Sequence, residues 1–200
     1  MKLSNGWIAL IVVVGLLVIM GMSISGSYNG MVSADEGVQN SWAQVQNVYQ
    51  RRADLIPNLV KTVQGAANFE KSTLTAVIEA RASATAVKID PSKLTENNVA
   101  AYQKAQDGLS SALSRLMVVV EKYPDLKANQ NFLELQAQLE GTENRITVER
   151  NKFNDEVKVY NTMIRRFPRN MIAGMFGFEK KGYFAAQVGA EKAPAVDFGK

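Results

Sequence analysis

The side chains of this 200-residue sequence that are best suited to chemistry are acidic and arginine residues on or beside the apolar stripes of two predicted helices. These residues are Glu79, Arg81, Glu143, Arg145, Glu149 and Arg150. Grouped carboxylates can bind a metal ion or transfer a proton, and a pair of them can hydrolyse a glycosidic bond. One interpretation is a buried polar network that recognises a ligand, and a more remote one is a carboxylate-dependent hydrolase.

The missing residue types argue against catalysis. The sequence has no histidine and no cysteine, so it lacks the commonest general base, the commonest metal ligand and any thiolate nucleophile. Helical bundles that bind two metal ions through carboxylates use Glu-x-x-His pairs. We therefore predict no catalytic residue, no metal site and no cofactor. The six charged residues are better explained as an internal Glu–Arg network that fixes the register of the helices.

A second polar cluster falls at a predicted corner between two helices and consists of Arg51, Arg52, Asp54 and Asn58. The apolar spacing predicts that the first soluble helix ends near Arg52 and that Asp54 caps the next one. A continuous helix kinked at Pro57 is the alternative. The cluster is either a docking patch for a partner or a set of caps that compensate the helix dipoles, and both interpretations can hold together.

A membrane anchor is predicted near the N-terminus, where residues 3–34 carry no charged side chain. Residues 7–24 are almost wholly apolar, and a helix of that length spans about 27 Å, close to the hydrocarbon thickness of a bilayer. A cleaved signal peptide is the alternative. The residues that define the anchor are Trp7, Ile8, Leu16, Leu17, Ile19 and Ile24.

Charge predicts which side of the membrane the domain occupies. Lys2 precedes the span, whereas residues 25–44 contain Asp35 and Glu36 but no lysine or arginine. The positive-inside rule then places the domain outside the cytoplasm, with a cytoplasmic domain as the alternative. The net charge of +4 is dispersed along the chain, which is not the basic stripe of a nucleic-acid-binding protein.

The rest of the chain predicts an all-α fold. Apolar residues recur in steps of three and four, most regularly from Val99 to Tyr123 and from Phe132 to Phe167, and no segment alternates like a strand. Thr95 is predicted to cap the third helix, Asn131 has capping-box spacing with Glu134, and Gly141 suggests a close helix contact. The fold class is therefore a single N-terminal transmembrane helix followed by an antiparallel four-helix bundle with coiled-coil-like seams.

We divide the chain into five parts: an N-terminal flank (1–6), the anchor (7–24), a flexible neck (25–31), the bundle (32–167) and a C-terminal tail (168–200). The tail region from Arg165 onward combines basic and aromatic side chains. It either lies on a membrane surface, fills a groove on a partner, or folds back over the bundle.

Several motifs of this sequence resemble the LemA family. They are YNGMV at 28–32, WAQV at 42–45, RRADLIPNLV at 51–60, ARA at 80–82, YPDLKAN at 123–129, LEGTENRI at 139–146 and Phe-Pro at 167–168. They cover nearly the whole chain in the family's order and spacing. Two departures are small: Phe153 precedes Asn154 where the family usually has tyrosine, and Gly30 interrupts the first motif.

The resemblance implies a bacterial membrane protein with an N-terminal anchor and an antiparallel helical bundle, and it implies no enzymatic activity. Family members with a cytoplasmic C-terminal domain stand against the prediction from charge. We expect a non-enzymatic scaffold, adaptor or regulator that contacts the bilayer through its N-terminal helix and binds another membrane or envelope protein. The alternative is a self-assembling structural membrane protein, which would form a homo-oligomer.

Overall fold

The first helix is far longer than the anchor predicted at its start. The computed structural model describes residues 5–65 and 69–186, and within these ranges the chain is all-α, with six α-helices and no strand. They are α1 (Asn5–Gln64), α2 (Lys71–Ala86), α3 (Glu96–Val120), the single turn α4 (Pro124–Lys127), α5 (Gln130–Arg165) and α6 (Arg169–Phe176).

Contacts between the long helices confirm the antiparallel four-helix bundle. Along α1 and α5 the partners run in opposite directions, since Gly37 faces Glu156, Trp42 contacts Phe153, and Arg52 reaches Glu143. Tyr49 and Arg52 contact Tyr102 and Gln106 of α3, respectively, so α1 and α3 run in the same direction. The helices α1, α2, α3 and α5 therefore alternate up and down.

The core consists of two apolar clusters stacked along the bundle axis. The near cluster, next to the predicted anchor, includes Met31, Trp42, Tyr102, Phe153 and Tyr160. The far cluster is built on residues from α1 to α5, including Ile56, Leu59, Leu109, Leu116 and Phe132. The buried residues of α2 all belong to the far cluster, and the near one is completed by the 87–95 connection and by the segment after α6.

The prediction of a flexible neck at 25–31 is wrong, because α1 continues through it as a helix. Met31 is fully buried, Gly30 faces Met163 of α5, and the Tyr28 ring contacts Phe176 of α6. This packing outweighs the weak helix propensity of the glycine and serine residues there. The bundle therefore begins directly at the end of the apolar segment.

The predicted corner after Arg52 is also absent. Helix α1 runs through Pro57 to Gln64, so the alternative of a continuous helix is correct and Asp54 is not a cap. The break between the first two helices of the bundle lies between Gln64 and Lys71 instead.

Three local predictions have mixed outcomes. Thr95 caps α3 by accepting a hydrogen bond from the Asn98 amide, as expected. Helix α5 is capped by Asn129 rather than Asn131, because the Asn129 side chain accepts from the amides of residues 131 and 132. The expected close contact at Gly141 is wrong, since a methyl group added there would meet no atom within 4 Å.

Candidate functional site

The most polar point inside the bundle is the Arg52 side chain, which lies between the near and far clusters and is 1% exposed. Its Nη1 donates to Ser110 Oγ and to Glu143 Oε2, both at 2.8 Å. Its Nη2 donates to the Gln106 side-chain oxygen at 2.8 Å and to the Gln106 carbonyl at 3.2 Å. Gln106 in turn donates from Nε2 to the Ala84 carbonyl of α2, so all four long helices meet in this network.

The network satisfies most of the arginine's donors. All four terminal N–H groups are used, Nε has no partner among the described residues, and the guanidinium carbon lies 5.1 Å from the centre of the Tyr49 ring. The counter-ion is only partly enclosed, because the Glu143 side chain is 42% exposed. Burying a guanidinium is costly unless it is paired and hydrogen-bonded. The site is therefore built to hold Arg52 in place, and few of its donors are left for a ligand.

Arg81 bonds a backbone carbonyl that Pro57 leaves without a partner in the helix. A proline has no N–H, so the carbonyl four residues earlier, that of buried Ala53, has no partner within the helix. Arg81 Nε of α2 donates to that carbonyl at 2.8 Å. This bond explains why the helix continues through the proline, and it fixes α2 against α1.

This explanation predicts that Arg81 and Pro57 are energetically coupled. Arg81→Met orphans the Ala53 carbonyl and should cost about 1–3 kcal/mol of unfolding free energy. After Pro57→Ala, the new amide at position 57 bonds that carbonyl, so the same change should cost less than half as much. Urea unfolding of the four full-length chains in detergent, followed by circular dichroism, measures both costs.

The exposed Arg145→Met on α5 is the matched control and should change stability by less than about 0.5 kcal/mol. If Arg81→Met lowers the free energy of unfolding equally in the native chain and in Pro57→Ala, Arg81 does not act through the carbonyl that the proline frees.

The remaining predicted polar residues do not join the network. Glu79 and Arg145 are exposed, and Glu149 pairs with Lys152 on the surface at 2.8 Å. On α1, Arg51, Asp54 and Asn58 are exposed, with Asp54 accepting a hydrogen bond from Gln50. The structure thus joins Arg52 from one predicted cluster with Glu143 from the other. The other members of the two predicted clusters lie outside this network.

Arg150 belongs to a different feature, the segment 178–185, which follows α6 and which we call the return segment. Its Nη2 donates to the Ala185 carbonyl at 2.9 Å, and its guanidinium lies 4.8 Å from the centre of the Phe184 ring. Phe184 is buried and packs against Trp42 and Phe153. Of the predicted alternatives for the tail, this part therefore folds back over the bundle, whereas residues 187–200 lie outside the described ranges.

Three side-chain amides fasten the return segment. Each accepts from one backbone N–H and donates to the carbonyl of the same residue, all at 2.9–3.2 Å. The pairs are Asn161 with Lys181, Asn154 with Phe184, and Gln103 with Ala185. Sequence reasoning missed these residues. The only signal was the seven-residue spacing of Asn154 and Asn161, which puts both on one face of a helix.

On the near-cluster side of Arg52, several aromatic side chains pack against one another. The Trp42 ring contacts Tyr102, Phe153 and Phe184, and its buried Nε1 has no hydrogen-bond partner in the part of the chain that the structure describes. Burial raises the pKa of Tyr102 and of Tyr49 above the ordinary value, so both phenols stay neutral near pH 7. Neither supplies an anion for catalysis.

A groove of about 350 Å³ opens beside this group, between α1, α2, α3 and the connection after α2. Tyr49, Tyr102 and Gln106 form part of its wall, and exposed Thr85 and Lys88 stand at its edge. Among the described residues there is no group of three or more acidic side chains placed to hold a metal ion.

The apolar start of α1 stands clear of the bundle. Trp7, Ile8, Leu16, Leu17 and Ile19 are all exposed, and Ile24 is the first anchor residue that packs against the near cluster. In the described ranges, α1 is the one helix long and apolar enough to cross a membrane, and its most apolar 18-residue window is not buried at all.

The fold and this exposed apolar helix define a class of membrane-associated all-α proteins. Within that class, the chain belongs to the LemA family, whose sequence profile matches residues 41–198. It is 27% identical to magnetosome protein MamQ of Magnetospirillum gryphiswaldense, over 92% of this chain and 74% of that protein. It is 26% identical to magnetosome protein MamQ 2 of Paramagnetospirillum magneticum over the same shares. Protein LemA of Metamycoplasma hominis is 24% identical over 74% of this chain and 64% of that protein.

Proposed function

We propose that this protein is a non-enzymatic scaffold, which holds another membrane or envelope protein of a bacterium at a fixed place above the bilayer. The observation that carries the proposal is the use of Arg52, Gln106 and Glu143 to join the four helices. Of the six charged residues predicted to form a polar network, Arg81, Glu143 and Arg150 hold helices or the return segment together, whereas the other three lie at the surface outside any network. The names of the relatives, magnetosome protein and protein LemA, specify no reaction.

The continuous first helix supports the same function. From Ile24 to Gln64 it rises about 60 Å, at 1.5 Å per residue, without a hinge. A bundle joined to its anchor in this way holds a bound partner at a set distance from the membrane. We propose the groove beside Tyr49 and Tyr102 as the partner's binding site, because it is concave and lies between three helices.

A single cysteine at the groove tests both the partner and the side of the membrane. The chain has no cysteine, so Lys88→Cys provides a unique thiol for a membrane-impermeant photocrosslinker. We propose from the charge count that the domain lies outside the cytoplasm, so permeabilising only the outer membrane should be enough for labelling. Light should then produce one discrete adduct, whose partner is identified by mass spectrometry.

Two comparisons make the result specific. Arg145→Cys lies exposed on α5, which does not line the groove, and should not give that adduct. Thr85→Trp, added to Lys88→Cys, fills the edge of the groove and should abolish the adduct. An adduct between two copies of the chain would favour the self-assembling alternative, and the absence of any adduct would count against the scaffold. Labelling only after the inner membrane is opened would place the domain in the cytoplasm.

A further inference from the structure

Helix α6 lies beside the point where α1 leaves its apolar segment. Its buried residues, Ile172 and Ala173, belong to the near cluster against which Ile24 also packs. Its last residue, Phe176, has its ring centre 4.9 Å from that of Tyr28. Tyr28 is four residues, or about 6 Å, beyond Ile24, and the headgroup layer of a bilayer is about 5–8 Å thick on each side. If the anchor fills the hydrocarbon layer, α6 stands at the level of the headgroups.

The side of α6 that faces away from the bundle is apolar. Phe167, Met171 and Met175 are spaced four residues apart and are 81%, 62% and 78% exposed. Residues at this spacing share one face of a helix, although Phe167 itself lies just before the helix begins. Large apolar side chains exposed together mark a contact with a membrane or a partner. Within residues 5–65 and 69–186, no side chain covers these three residues.

The charged side chains of the segment that carries this face are all basic, while the nearby carboxylates Asp35 and Glu179 line a cavity with Phe176, and Asp35 pairs with Lys181 at 2.9 Å. Residues 157–178 contain Lys158, Arg165, Arg166 and Arg169 but no aspartate or glutamate. Within the described residues, no carboxylate forms a salt bridge with any of the three arginines. Basic side chains next to exposed apolar ones are the pattern of a helix that lies in the interface of an anionic membrane.

We propose that residues 165–176 are a second membrane contact, lying in the headgroup layer of the bilayer that the anchor spans. Phe167, Met171 and Met175 enter the boundary with the acyl chains, and Arg165, Arg166 and Arg169 bind the phosphates of anionic lipids. The bundle is then held to the membrane at two places, the span and the face of α6. A protein partner of α6 is the competing occupant, but the level of Tyr28 and the positive charge of residues 157–178 favour lipid.

A depth measurement on the full chain tests the proposal. Met175→Cys carries an environment-sensitive fluorophore, and the protein is reconstituted into vesicles of equimolar phosphatidylglycerol and phosphatidylcholine. Lipids brominated on the acyl chains should quench this probe strongly. The same probe at Val118→Cys, an apolar position in the far half of the bundle that is 68% exposed, should not be quenched.

The arginines are tested by replacing all three with glutamine. Each basic residue near an anionic surface strengthens binding about fivefold, so the triple variant should lower the equilibrium constant for docking about 100-fold. Quenching at position 175 should fall accordingly, and it should also be weaker in pure phosphatidylcholine. The control is the triple glutamine variant of Lys104, Arg115 and Arg145, which removes the same charge from exposed positions elsewhere.

Circular dichroism of every variant verifies that the bundle is folded. Equal quenching at positions 175 and 118 would overturn the proposal. The proposal would also be overturned if quenching at position 175 were the same with and without the three arginines and in anionic and neutral vesicles. The contact would then not recognise anionic lipid. A probe that stays unquenched in vesicles but becomes shielded in native membranes would identify a protein as the occupant, against the proposal.

Discussion

Replacing Arg52 by alanine is expected to lower the free energy of unfolding by about 3–5 kcal/mol, the largest effect of any charged residue in the chain. The change removes four hydrogen bonds, takes the Arg52 donor from the buried side-chain oxygen of Gln106, and leaves a cavity between the two apolar clusters. The measurement is urea unfolding of the full-length chain in detergent, followed by circular dichroism.

The neighbouring arginine provides the matched control. Arg51 is exposed on the same turn of α1, so Arg51→Ala should change stability by less than about 0.5 kcal/mol. Similar effects of the two changes would mean that the Arg52 network does not stabilise the bundle.

A double-mutant cycle separates the ion pair from the rest of the network. Glu143→Leu leaves the buried cation without its counter-ion, so it is destabilising by itself. Combined with Arg52→Met it should cost less than the sum of the single changes, by about 0.5–3 kcal/mol, because the pair is removed together. Additive costs would show that the carboxylate, which is partly exposed, is not a working partner of Arg52.

Replacing Phe184 by alanine should cost about 3–5 kcal/mol, because it empties a buried aromatic site. Its ring stacks on Trp42 at 5.8 Å and contacts Phe153 at 5.4 Å, so its loss exposes the tryptophan. In a Trp7→Phe background Trp42 is the only tryptophan of the chain, and its emission should shift to longer wavelength. Denaturant unfolding and the emission spectrum are recorded on the same samples.

Tyr183, the aromatic residue next to Phe184, provides the control for the loss of an aromatic ring that is not buried. Tyr183 is 45% exposed, and Tyr183→Ala should leave the emission of Trp42 unchanged and cost well under the amount expected for Phe184. An unshifted spectrum and native stability in Phe184→Ala would mean that the return segment is not part of the core in solution.

The spacing of apolar residues predicted the long helices well but placed the Arg52 network at a corner that does not exist. The steps from Tyr49 to Arg52 to Ile56 are three and four, so Arg52 occupies a position of the buried seam. The sequence rules favoured a break near Arg52 because Pro57, which has no N–H, fits the first turn of a new helix capped by Asp54. They do not identify Arg81, 24 residues away, as the donor that bonds the freed carbonyl.

The return segment was beyond prediction for a related reason. It has neither helical nor strand periodicity, and it is fixed by side-chain amides of Gln103, Asn154 and Asn161, between 20 and 82 residues away in sequence. Amide residues on a helix are ordinarily solvated, and nothing local distinguishes the ones that bind backbone. The family motifs at 51–60 and 139–146 did mark Arg52 and Glu143 together, without revealing that the two side chains meet.

The unbroken course of α1 also sets a direction in the plane of the membrane. A helix repeats its faces every 3.6 residues, so the flank of the span that shares the side of Ile24 runs through Leu17 and Val13. If this segment crosses a bilayer, α6 stands over roughly that one flank, because α1 runs without a break from the segment into the bundle. Another transmembrane helix that pairs with this span would then pack against the opposite flank, which α6 leaves open. The two sides of the molecule therefore differ in the plane of the bilayer.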